Sequence, residues 1–160
     1  MEIREPQKRI SKLALKVWKI TGILHSILVW MACAAAMFLV SLFNWSTWFT
    51  SIALIIALFY SVLFIFIIPK LRWKRWKYEV REQEIELQHG VFIIKRTLVP
   101  MIRVQHVDTV QGPLLRNYDL ATITISTAAT VHHIPAIDMI EADRLRHSIS
   151  ALARVDEDDV

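Results

Sequence analysis

Residues 20–69 contain no Asp, Glu, Lys or Arg, whereas polar and apolar positions alternate every few residues on either side. An apolar run of this length exceeds what a soluble core helix needs. At about 1.5 Å rise per residue it can cross a hydrocarbon core of roughly 30 Å twice. Asn44, Trp45, Ser46 and Thr47 interrupt the run near its middle with turn-type residues, so the pattern predicts a hairpin of two transmembrane helices, residues 20–43 and 48–68. Before it, Ile10, Leu13, Val17 and Ile20 recur at helical spacing. That fits either an amphipathic helix on the membrane surface or an extension of the first span.

From Trp76 onward the period changes to two, the signature of strands. Trp76, Tyr78 and Val80 share a face, and Glu82-Gln83 makes a turn. Ile85 and Leu87 then alternate with Glu84, Glu86 and Gln88, giving a strand hairpin with one wet face. His89-Gly90 is the next turn, because Gly adopts positive φ without steric cost. A third strand is expected over residues 91–98, with Val91-Phe92-Ile93-Ile94 apolar on both faces, and a fourth over residues 102–109. Gln111-Gly112-Pro113 ends it, residues 114–120 make a helical turn, and two more strands flank Thr127-Ala128-Ala129. Pro135 is expected to stop the last strand. Asp138 with Glu141 three residues later resembles a capping box, and Met139, Ala142, Leu145, Ile149 and Leu152 share one face of the helix that follows. The expected class is α+β: a two-helix transmembrane hairpin, then an antiparallel sheet domain capped by a C-terminal helix.

Charge orients this arrangement. Arg4, Lys8, Arg9, Lys12, Lys16 and Lys19 precede the first span, and Lys70, Arg72, Lys74, Arg75 and Lys77 follow the second, while residues 44–47 carry none. Basic residues close to membrane spans stay cytoplasmic, so both termini are expected in the cytoplasm. Trp18, Trp45, Trp48, Trp73 and Trp76 mark the expected edges, where amphipathic rings prefer the headgroup level. The chain thus divides into a basic segment at 1–19, the hairpin at 20–69, a domain at 70–155 and an acidic tail at 156–160, read as disordered. Basic residues before an apolar run containing Ala32-Cys33-Ala34 also suggest a cleaved signal, but the run is too long for one.

The net charge of +4 comes from the membrane flanks, since residues 78–160 hold thirteen acidic against eight basic side chains. This points to membrane lipids as the partner of the basic charge and away from nucleic acid. The 160 residues leave room for one small domain beside the hairpin, and the lone cysteine, Cys33, allows no intrachain disulfide. Three glycines, Gly22, Gly90 and Gly112, make no phosphate-cradling loop. His132 and His133 point to opposite strand faces, so no metal site is expected. His106 and Asp108 share a face and with a hydroxyl such as Ser126 or Thr127 would make up the residue types of a triad, but no nucleophile elbow or oxyanion loop accompanies them, and the chain is read as non-enzymatic and free of cofactors.

Small residues recur every four positions in both spans, Ala32 and Ala36 in the first, Ala53, Ala57 and Ser61 in the second, at matching depth. They are candidate helix-packing residues, for the hairpin itself or for another membrane protein. His25 is read as interfacial, because a proton path would need partners at depth.

The runs Val104-Gln105-His106-Val107-Asp108-Thr109-Val110-Gln111-Gly112-Pro113-Leu114-Leu115-Arg116 and Ala121-Thr122-Ile123-Thr124-Ile125-Ser126-Thr127-Ala128 resemble the bacterial pleckstrin-homology-like (PH-like) domain of the YdbS-type membrane proteins. Ile68-Pro69-Lys70-Leu71-Arg72 and Glu141-Ala142-Asp143-Arg144-Leu145-Arg146 are similar to that family too. Where the family pattern usually has Gly, this chain has Asp119, one of the few residues that tolerates a left-handed backbone. The resemblance implies a small membrane-anchored subunit accompanying a longer membrane protein with repeated domains of the same kind, and it carries over no catalytic residue. Two uses follow. The domain could bind that partner, or a second copy of itself, through an open sheet edge or the surface of Gly112, Leu114, Leu115 and Arg116. Alternatively it could sense anionic lipid with Lys70, Arg72, Lys74, Arg75, Lys77, Lys95 and Arg96. Lys95 and Arg96 are adjacent on a strand and point to opposite faces, so one of them must answer a burial problem or lie near an edge. A role in protecting the envelope against membrane-active compounds is compatible with either use.

Overall fold

The computed structural model describes residues 5–43, 46 and 48–158. Arg4 and three of the four residues of the expected turn, Asn44, Trp45 and Thr47, lie outside them, as does Asp159 of the acidic run. The chain divides into two compact units: Leu15–Leu71, and a second assembled from the segments that flank it.

The first unit is a hairpin of two long apolar helices. The helix α1 spans Ala14–Leu42, and α2, Trp48–Val62, runs through a π-helical turn at Leu63–Ile67 into α3, Ile68–Arg75. The stretches Ala14–Leu42 and Trp48–Arg75 are 29 and 28 residues long, enough to cross a membrane. Most of their large apolar side chains, Leu28, Phe38, Ile55 and Phe59 among them, are exposed, as lipid-facing residues must be. Helices in lipid approach each other where side chains are small. Ala57 is buried here and Ala53 half-buried, and Ser61 donates to Ala57 O and accepts a 3.0 Å bond from Trp30 Nε1. Ala32 and Ala36 are exposed, against expectation. The packed face of α1 is Gly22, Ser26 and Cys33. Cys33 is small too, so the contact lies about 100° around the helix from Ala32.

Among the described residues of the second unit, seven strands form two antiparallel sheets, ordered β1-β2-β3-β4 and β5-β6-β7. Their ranges are β1 Lys8–Arg9, β2 Lys77–Val80, β3 Glu84–His89, β4 Lys95–Pro100, β5 Val104–Val110, β6 Leu120–Thr127 and β7 Val131–Asp138. A short helix, α4, Pro113–Asn117, joins β5 to β6, and α5, Met139–Asp158, follows β7. Strand β1 precedes the helix pair and β2 follows it, yet the two pair, Lys8 with Tyr78 and Arg9 with Lys77. The membrane helices are therefore an insertion into the domain: Lys8 and Arg9 belong to its sheet, and from Ala14 the segment extends the first span instead of lying as a separate surface helix. Pro6 and Ile10 are buried, and Trp73 Nε1 donates to Ile10 O and Ser11 O.

Strand β7 runs through Pro135. Two of its residues, Pro135 and Ala136, oppose Thr122 alone on β6, a bulge that Ala136 completes with φ +52°. Being an edge strand, β7 tolerates the missing proline N–H, and the Ala136 carbonyl accepts from Ser11 N at 3.1 Å. Asp119 takes φ +51°, the left-handed backbone expected there. The core is Tyr78, Ile85, Met101, Leu120, Ile123, Ile125, Ile134 and Ile137, closed on one side by Ala142, Leu145 and Ile149 of α5. Strong periodicity set that stripe correctly. The helix continues through residues 156–158, beyond the start of the expected disordered tail.

The wet face expected on the β2–β3 hairpin is not wet: Glu86 and Gln88 are buried along with Ile85 and Leu87. Glu79 and Glu86 stand directly opposite each other, a repulsive pairing taken alone. Arg81 bridges them at 3.0 and 3.1 Å and reaches Glu84 at 2.7 Å, while Arg96 clasps Glu86 from β4. Strand β4 begins at Lys95 and not at residue 91, because Lys95 pairs with His89 and leaves residues 90–94 as the hairpin loop. Gly90, at φ +131°, turns the chain into that loop.

Candidate functional site: an open cleft between two sheet edges

Pro100 cannot continue a ladder, and at Pro100 the chain leaves the first sheet through a 3₁₀ turn, Met101–Arg103, to start the second. Met101 is buried and donates its N–H to Gln83 O at 2.9 Å, which fixes the crossing. As a result β4 and β5, each the edge of its own sheet, diverge from a shared corner and leave a cleft of about 730 Å³. Leu98 and Ile102, both about half exposed, stand at it, with Val99 and Val104 below. The far wall is the β6–β7 turn, where Thr127 Oγ1 donates to Thr130 O at 2.8 Å. Lys95, Arg103 and His132 supply the polar rim, and no carboxylate lines the cleft among the described residues.

The chemistry on offer is recognition. Edge strands present backbone donors and acceptors to an added strand, the apolar floor takes alternate side chains, and the cationic rim suits carboxylates or phosphates. Thr130 Oγ1 lies 2.9 Å from His132 Nε2. Burial first, then Lys95 and His133, push the His132 pKa below its ordinary value. His89 is lowered likewise by burial, then by Lys95, Arg72 and His132. Both histidines are thus biased toward the neutral form.

The basic residues singled out from the sequence separate into distinct roles. Arg96 answers the burial of Glu86, and Lys95 stands exposed at the cleft rim, which resolves the question posed by their adjacency. Lys77 Nζ bonds Glu5 Oε2 at 2.6 Å, and that contact holds the Glu5 carboxyl below the usual range. Lys70, Arg72, Lys74 and Arg75 lie along α3. Gly112, Leu114, Leu115 and Arg116 gather at α4, which packs on β6 with both leucines half-buried, and none of the four lines the cleft. His106 and Asp108 are 3.6 Å apart and exposed. Sequence reasoning named an open sheet edge without saying which. The signal was Pro100 followed by a short break, which marks where one sheet stops.

A family model described as the bacterial PH domain matches residues 13–153. The transmembrane protein YdbS of Bacillus subtilis (strain 168) is 52% identical over 156 residues, 98% of each chain. The transmembrane protein YdbT of the same organism is 25% identical over 95 residues, covering 56% of this chain and 19% of YdbT. No solved structure matches.

Proposed function

Because the chain belongs to the bacterial PH domain family and is a transmembrane protein of the YdbS kind, we propose that it is a non-enzymatic subunit whose domain assembles with a longer membrane protein of the same family. The observation that carries this reading is the cleft between the edges of β4 and β5, with Leu98 and Ile102 exposed beside it. An apolar, open-edged cleft of this form suits an added strand from a partner. YdbT supports the reading from outside: it is a related protein of which this chain matches about a fifth. Ala32 and Ala36 support it from the membrane, because their small side chains face away from the hairpin contact, where a third helix can approach closely.

Topology is part of the proposal. The pairing of β1 with β2 supports both flanks of the helix pair lying on one side of the membrane. The basic residues on those flanks favour the cytoplasmic side.

The test uses full-length protein purified from its native membrane in mild detergent. Wild type should retain a longer bacterial PH domain protein at fixed ratio, and Leu98→Asp, at an exposed position that leaves the core intact, should release it. Purification of wild type without such a companion would sink the reading.

A further inference from the structure

We propose that the β3–β4 loop, residues 90–94, is a membrane-interface anchor: Phe92 and Ile93 enter the headgroup–acyl boundary of an anionic bilayer, with Lys95 beside them at the headgroups. Phe92 and Ile93 are 85% and 84% exposed, and Ile94 is 51% exposed. Three consecutive large apolar side chains presented to water make a feature that soluble surfaces avoid unless it binds something. Their exposure is built into the backbone. Lys95 pairs with His89 and closes the hairpin beneath the loop, and a Cβ on Gly90 would come within 1.8 Å of Ile93 O, so the loop is folded tightly on itself with its side chains outward.

The position of the loop in the chain says what covers it. Trp76 is the first residue after the 28-residue membrane-length helix, and its ring stacks on His89 with centroids 5.5 Å apart. Lys77 pairs with Gln88 in the same ladder. The loop therefore starts one strand spacing from the point where the chain leaves the second helix. Five residues running out and back cannot carry the tip more than about 20 Å from that point, whatever angle the domain takes. The tether keeps the loop close in the chain to the end of the membrane-length helix, which raises its effective concentration toward a bilayer.

Charge fits the same occupant. Lys74 is exposed and Arg75 half-exposed on the helix just before Trp76, and Lys95 is exposed just after the loop. Apolar side chains flanked by basic ones are the composition of an interfacial anchor for anionic lipid. The contact shares Lys95 with the rim of the β4–β5 cleft, but Phe92 and Ile93 do not line that cleft, and the contact needs no protein partner.

The experiment takes the full chain with Cys33→Ala, reconstituted in phosphatidylcholine–phosphatidylglycerol vesicles. An environment-sensitive fluorophore is attached to Ile93→Cys, or to Glu82→Cys in the β2–β3 turn at the other end of the strands. Quenchers carried on the lipid headgroup-proximal acyl carbons should reduce the first signal at least threefold more than the second. Adding Phe92→Asp should bring the position-93 signal down to the quenching seen at position 82. Equal quenching at the two positions overturns the proposal, as does a position-93 probe shielded from water but untouched by the lipid quencher, which would place protein over the tip. Quenching that persists with Phe92→Asp also overturns it, because the fluorophore itself would then be inserting.

Discussion

Gly22 is a point of close backbone approach in the helix hairpin, and Gly22→Ala tests that packing directly. A Cβ built there would meet the Phe64 backbone oxygen at 2.6 Å, its carbonyl carbon at 3.1 Å and Ile65 Cα at 3.3 Å. Carbon contacts settle near ~3.5 Å, so the helices must part by roughly half an ångström or more. The obstacle is backbone and not a side chain that can swing aside. Overpacking of this kind costs about 1–3 kcal/mol, while replacing Gly by Ala in a helix returns about 1 kcal/mol, so the net loss should be about 0–2 kcal/mol. The assay is unfolding of full-length protein in mild detergent with increasing sodium dodecyl sulfate. Ala36→Leu, exposed in the structure, should leave the midpoint unchanged. Gly22→Ala with Phe64→Ala should not recover the loss, because the clash is with the Phe64 backbone oxygen. A stabilised Gly22→Ala, or rescue by Phe64→Ala, would refute the reasoning.

Three further outcomes follow from the domain. Tyr78 is fully buried and its hydroxyl donates to Glu141 at 3.0 Å, so Tyr78→Phe should cost about 1–2 kcal/mol in chemical denaturation. Burial first, and then Glu141, holds the Tyr78 pKa well above its ordinary 10.0. The unfolded chain therefore releases this proton before the folded one does; stability is full below pH 10, falls as pH rises above it, and Tyr78→Phe should flatten that decline. Arg96→Leu leaves Glu86, whose side chain is 10% exposed, with Arg81 alone; the loss should be about 1–2 kcal/mol and largely recovered by adding Glu86→Gln, as a double-mutant cycle would show. His89 and His132 both have pKa values held below the ordinary 6.5, so the unfolded chain takes up protons first as pH falls. Stability is full above that value and lost as pH drops through the lowered ones; denaturation midpoints between pH 7 and pH 5 should decline, and His89→Gln with His132→Gln should reduce the slope.

What was legible in the sequence follows the strength of each local pattern. The membrane hairpin and the buried stripe of α5 were read correctly because long runs of one period leave little choice. Val91-Phe92-Ile93-Ile94 misled because four apolar residues fit a strand buried on both faces as well as a loop that meets a membrane. Periodicity carries no information about which. Glu86 misled in the opposite sense: a carboxylate on a strand reads as solvent-facing until Arg81 and Arg96, separated in sequence, are seen to cover it. The N-terminal strand was hidden for a topological reason. Its partner β2 lies beyond the whole helix pair, and no local signal in Lys8 and Arg9 points across that distance. In the membrane the small-residue rule identified Ala53, Ala57 and Ser61, but in α1 it chose Ala32 and Ala36 over Gly22 and Ser26, which show the same four-residue spacing. Spacing alone does not say which of two small faces turns inward, and here Ala32 and Ala36 face outward.

The most direct measurement of the central claim is site-specific photo-cross-linking in the native membrane, with a photoreactive amino acid in place of Leu98 and, as a reference, of exposed Glu82 at the β2–β3 turn. The account predicts a cross-link from position 98, and not from position 82, to a longer membrane protein carrying bacterial PH domains. A position-98 probe that labels only water, or labels the same products as position 82, would contradict it.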